Sequence, residues 1–221
     1  MAVAFQTAAT ASVANEGTQV TCGKPTGTVD NDLLVAIWCV RYTTQRTLTL
    51  PTGWTEIARA EDPTPNNPAV VMARKVAASE GASYVFTASD TTNGMEVHIL
   101  RFDDEDTTTP SDVAASTNYG NGVTLTATGI TTVTDGAMLV AGFGVAALNS
   151  FAAPTGMSTA ADTNAAARIQ SDYVIQATAG ASGDKVTGAM GATRRWGAIL
   201  WAIRPSGGAA AIPLLPLLGV G

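Results

Sequence analysis

Charged side chains are scarce in this chain. Asp, Glu, Lys and Arg make up 14% of its 221 residues, against about a quarter in an average soluble protein. The surface must therefore be largely small and neutral, which suits close contact with neighbouring subunits. Lysine is limited to Lys24, Lys75 and Lys185, and 12 basic residues stand against 18 acidic ones. That balance argues against a nucleic-acid partner, because phosphate contacts need clustered Lys and Arg.

Histidine occurs once, at His98. This excludes a His-rich metal site and makes any Ser-His-Asp triad depend on that one residue. Cys22 and Cys39 are the only cysteines; they lack CxxC spacing and a nearby His, so two buried free thiols are expected and no metal or cofactor is assigned. No run approaches the roughly 20 apolar residues of a membrane span. The opening "MAVAFQTAAT" lacks the basic and apolar regions of an export signal, so assembly in a cytoplasm is expected.

Helical periodicity is almost absent as well. In its place stand short apolar or alternating runs separated by Gly, Pro, Asn, Asp and Thr clusters, the pattern of an all-β sandwich or barrel. Strands are predicted from Val3, Gly17, Asp32, Trp54, Ala69, Ser83, Met95, Gly122, Ala137, Ala167 and Trp196.

These runs repeat. "GTQVT" at 17 to 21 is answered by "GVTLT" at 122 to 126, "LVA" at 34 by "LVA" at 139, and "PTGW" at 51 by "PTGM" at 154. Two halves, about 17–102 and 122–204, could be tandem immunoglobulin-sized domains or the two sheets of one sandwich. The single sandwich over 1–205 is the expectation, since two apolar halves facing each other bury both inner faces at once. The segment from Asp103 to Asn121 then reads as a long crossover loop. In "MLVAGFGVA" one strand face carries Leu139, Phe143 and Val145, and the other Gly142, Gly144 and Ala146, so something is expected to pack flat on the small-residue face.

"GTVDNDLLVAIWCVR", "LPTGWTEIARAED", "HILRFDDEDTTTPSDV" and "AILWAIRP" together resemble the jelly-roll, concanavalin A-like β-sandwich domains of tailed-phage and prophage virion structural proteins. Asn31 stands where that pattern more usually has Gly. The resemblance implies a jelly-roll fold and a virion setting, with other copies of the chain and neighbouring virion proteins as partners, and it implies no binding residue.

Candidate chemistry is thin. His98 shares a strand face with Glu96 and Leu100 and, with no nucleophile elbow in the chain, reads as a hydrogen-bonded structural histidine. Glycosidase chemistry needs two carboxylates across a cleft, and none of Glu16, Glu56, Glu61, Glu80, Glu96 or Glu105 falls in an ExDxE frame; no catalytic residue is assigned. Asp103, Asp104, Glu105 and Asp106 lack the spacing of a calcium loop and read as a solvated acidic turn. Trp54 after a tight turn, together with Tyr119 and that acidic run, could form a glycan- or receptor-binding patch at one end of the sandwich. Its counterpart Met157 instead makes Trp54 a hydrophobic plug.

The remaining feature is "SGGAAAIPLLPLLGVG". Pro213 and Pro216 forbid a helix, and the run is too short to span a bilayer. Residues 206–221 therefore read as a Gly/Ala leash and an apolar peptide that docks in a groove through Ile212, Pro213, Leu214, Leu215, Pro216, Leu217 and Leu218.

Overall fold

The structure is a computed structural model that describes residues 2–14, 16–62 and 68–207. The docking peptide, Ile212 to Leu218, lies outside the described residues. All regular elements are strands. In order they are β1 Ala4–Val13, β2 Gln19–Gly23, β3 Leu33–Arg41, β4 Leu48–Thr49, β5 Thr55–Glu61, β6 Pro68–Val76, β7 Ser83–Ala88 and β8 Gly94–Asp103. The second half adds β9 Ser111–Gly122, β10 Thr126–Ala127, β11 Ala137–Val145, β12 Ser158–Thr163, β13 Arg168–Gln176, β14 Lys185–Val186 and β15 Arg194–Ile203.

The expected repeat runs through both large sheets. The first half forms a five-stranded antiparallel sheet in the order β1-β8-β3-β6-β5, and the second half forms β9-β15-β11-β13-β12, the same order strand for strand. A small outer sheet, β2-β7-β4, covers the first, and the β10-β14 pair covers the second. Each half thus follows a jelly-roll path of its own, with β5 in the first and β12 in the second moved to the edge of the large sheet.

The two large sheets then stack face to face, with β6 against β11 and β15 and, reciprocally, β13 against β3 and β8. The result is four layers and three cores. The central core joins the halves through Leu33, Val35, Ile37, Met72 and Leu100 on one side and Met138, Val140, Ile169, Ile199 and Trp201 on the other. The outer cores lie under the small sheets, around Trp38, Trp54 and Phe86 and around Leu139, Phe143 and Leu200. Because β3 and β11 are covered on both faces, they read as unbroken apolar runs.

This arrangement corrects two expectations. The facing halves are present, yet each also covers the back of its own sheet, so the sandwich is doubled. The crossover loop is shorter than expected, because Ser111–Gly122 is a full strand paired along β15. Its Ala, Ser, Asn and Gly residues have low β-propensity, and the partner strand supplies its register.

The flat partner of the small-residue face is the chain's own other half, not a neighbouring subunit. A Cβ on Gly142 would lie 2.7 Å from Ile37 Cγ2, and one on Gly144 would lie 2.5 Å from Val70 Cγ2 and 2.8 Å from Cys39 Sγ. The glycines are there because two sheets approach too closely for a side chain.

The repeated turns match in geometry. Trp54 N–H donates to Pro51 O at 3.2 Å and Met157 N–H to Pro154 O at 3.0 Å, with Gly53 at φ +82° and Gly156 at φ +83°, both type II turns. Asn31 sits at φ +75° and its counterpart Gly136 at +76°, so Asn fills a left-handed position otherwise held by glycine.

Candidate functional site

The densest polar constellation lies in the central seam. On β8, alternation sends Met95, Val97 and Ile99 to the outer core and turns Glu96, His98 and Leu100 inward, as the shared face in the sequence implies. His98, Glu96, Ser171 and Asp172 are all 0% exposed.

His98 Nδ1 lies 2.9 Å from Ser171 Oγ and its Nε2 2.8 Å from Thr163 Oγ1, while Thr163 donates its hydroxyl proton to Glu96 Oε2 at 2.8 Å. That last bond fixes the others, since a hydroxyl whose proton is committed can only accept from the ring. His98 is therefore the neutral Nε2–H tautomer, and Ser171 donates to Nδ1. Burial, with the nearby positive charge of Arg168, drives the imidazole pKa down to about 3.

Glu96 completes a latch between the halves. Its Oε1 accepts the N–H groups of Ala165 and Ala166 at 2.5 and 2.8 Å. Arg41 donates to Ala166 O at 2.7 Å. Gly94, at φ +142°, lets the chain pass where a Cβ would meet Ala166 O at 2.5 Å. Arg168 extends the network to Asp162, stacks over the Phe151 ring at 4.6 Å and donates to Gln170 Oε1 at 3.0 Å. Gln170 Nε2 in turn donates to both oxygens of Asp172, whose pKa burial raises to about 6 despite those bonds.

A Ser-His-hydroxyl-Glu relay has the groups of a hydrolytic site. Here His98, Ser171 and Glu96 are buried between two sheets, with Thr163 half-buried at the edge strand. The arrangement gives each of the four side chains a hydrogen-bond partner and ties one half to the other. In the corresponding place across the seam, where the repeat sets Ile199 for His98 and Met72 for Ser171, the contact is apolar.

Within the acidic run, Glu105 departs from the solvated turn expected, while Asp106 keeps to it and accepts the N–H groups of Thr108 and Thr109. Glu105 is 5% exposed, its backbone bridges to Pro205, and its carboxylate has no hydrogen-bond partner in another residue, only a weak contact with its own backbone N–H. Burial raises its pKa to about 7, and Asp32, Asp103 and Asp104 push in the same direction. Asp32 itself is paired with Arg101 at 2.6 Å. Among the described residues no group of three or more acids, histidines or cysteines is placed to hold a metal ion.

Comparison with known proteins adds nothing to this geometry: no family model, no curated protein and no solved structure matches the chain.

The structure does not assemble the aromatic and acidic patch. Trp54 is 8% exposed and packs edge-on against Tyr84 at 5.1 Å and Phe86 at 5.9 Å, while Met157 packs against the other outer core; both are plugs. Tyr119, 48% exposed, pairs with Gly197, whereas Glu105 bridges Pro205, roughly 25 Å further along at strand rise. Cys22 and Cys39 are buried free thiols, and burial raises the pKa of both, that of Cys22 to about 12.

One cleft escaped sequence reasoning. It has a volume of about 460 Å³ beside the Pro51 turn and is lined by Thr52, Lys75, Glu80, Ser83 and Tyr84 among others. Lys75 Nζ lies 2.9 Å from Glu80 Oε2, and Tyr84 donates its hydroxyl to the same carboxylate at 2.9 Å. Burial raises the Glu80 pKa, but these bonds and the Ala78 N–H outweigh it and bring the net value down. These residues are scattered over two strands and a loop in the sequence, with no motif to join them.

Proposed function

We propose that this chain is a non-enzymatic structural protein of a tailed phage or phage-like particle. Within that class a head decoration or surface appendage subunit is the reading adopted, assembled in the host cytoplasm and held by subunit packing and by the apolar segment 212–218. The observation that supports it is the use made of the chain's reactive side chains. His98, Ser171, Thr163 and Glu96 are consumed in fastening one jelly roll to the other, so the product is a double sandwich that offers its surroundings strand edges and turns. The test is particle incorporation. A chain lacking residues 209–221 should fold normally but fail to join particles, and unchanged incorporation would overturn the docking role.

A second reading, a carbohydrate- or receptor-binding module, draws on the cleft at Lys75, Glu80 and Tyr84, where an ammonium, a carboxylate and nearby hydroxyls could meet sugar hydroxyls. Glycan-array binding that is lost in Glu80→Ala would favour it, and an array with no bound glycan would reject it.

A further inference from the structure

The two large sheets have four edges, and they are not guarded alike. The edge strand β5 carries Glu56, Arg59 and Glu61, with Arg59 paired to Glu56 at 2.8 Å, and a bulge between Glu56 and Ala58. The edge strand β12 is only 6 residues long, carries Asp162 and is bulged between Thr159 and Ala161. Charges and bulges of this kind prevent sheet edges from pairing with other chains.

The edge of β9 has no such guard over most of its 12 residues. Its one charge, Asp112, is buried and accepts the Val133 N–H. Beyond the irregularity near its start, residues 116–122 run in regular register with β15 and carry no charge. Among the described residues β15 is its sole strand partner, so alternate N–H and C=O groups point away from the sheet. The Tyr119 N–H, for one, donates to the adjoining Asn118 side chain, at 2.9 Å. Thr117 and Tyr119 are exposed on one face of this edge. The corresponding strand β1 is also neutral, but its exposed side chains are Gln6, Thr10 and Ser12, with no aromatic anchor.

We propose that β9 pairs antiparallel with β9 of a second copy of this chain, joining two five-stranded sheets into one continuous sheet across a two-fold axis. The occupant follows from charge. An antiparallel two-fold pairing centred near Tyr119 sets residue 117 opposite 121 and Tyr119 opposite its own copy, so like charges in this stretch would be brought together, and residues 116–122 carry none. The main-chain hydrogen bonds give the pairing its geometry, and Tyr119 contributes the large amphipathic surface common at protein interfaces. This deepens the proposal that copies of the chain pack together, and it is testable without particles.

The experiment is sedimentation equilibrium of the full chain. Wild type should sediment as a dimer of twice 22.5 kDa. The double variant Thr117→Lys/Tyr119→Lys, which changes only exposed side chains, should sediment as a monomer with an unaltered circular dichroism spectrum. Thr10→Lys on β1 should remain dimeric. A monomeric wild type at roughly 100 μM, more than tenfold above a micromolar Kd, would overturn the pairing, as would a dimeric double variant or dissociation by Thr10→Lys alone. Failure here leaves particle incorporation through residues 209–221 untouched, so the two ideas fall separately.

Discussion

Replacing Glu105 by Gln should make the protein more stable above about pH 4.5, with the gain complete near pH 7 and absent in acid. The side chain is 5% exposed with no partner in another residue, and burial first, opposed by its own backbone N–H and aided by Asp32, Asp103 and Asp104, raises its pKa from 4.5 to about 7. The native state thus holds a proton that the unfolded chain releases near pH 4.5. Stability from this group is fully present below that pH and is lost as pH rises through 7. The full shift corresponds to a ceiling of about 3 kcal/mol. Solvent reaching the turn screens part of it, leaving about 1–2 kcal/mol. Glutamine mimics the neutral acid, so Glu105→Gln should melt with wild type at pH 4 and above it at pH 8 by roughly 2–8 °C for a chain of this size. Asp172, also raised by burial, titrates in both proteins and cancels in the difference. Differential scanning calorimetry at the two pH values decides the matter. An equal shift at both, or a lower melting temperature at pH 8, would refute the reasoning.

Three further outcomes follow from the seam and the turns. Gly144→Ala forces a methyl group to within 2.5 Å of Val70 Cγ2 and should destabilise by about 1–3 kcal/mol in urea titration, whereas Gly191→Ala, with nothing within 4 Å, should change little. The His98 imidazole should stay neutral in NMR titration down to pH 5, given its depressed pKa of about 3, and His98→Ala should lose roughly 2–4 kcal/mol by leaving the Ser171 and Thr163 hydroxyls without their ring partner. At φ +75°, Asn31→Gly should be neutral or mildly stabilising and Asn31→Val should lower stability by about 1–2 kcal/mol, read from melting temperatures.

Local sequence determined most of the strands, the Pro-Thr-Gly turns and the repeat, because each depends on neighbours in the chain, but β4, β9, β12 and β14 carry no such pattern. Alternation placed His98 with Glu96, and the spacing of "PTGW" and "PTGM" marked Trp54 and Met157 as paired plugs over type II turns. The bare glycine face of β11 announced a close partner. Only the tertiary structure decided that this partner is the first half of the same chain, because sheet stacking joins residues such as Gly144 and Val70 that no local pattern links. The same holds for the relay of His98 to Ser171 and Thr163, 73 and 65 positions away, and for Glu105, whose charged neighbours suggested solvent until the strand ends closed over it. β9 shows the limit most plainly. Its small polar residues carry little intrinsic preference for a strand, and it becomes one because β15 lies beside it with hydrogen bonds to offer.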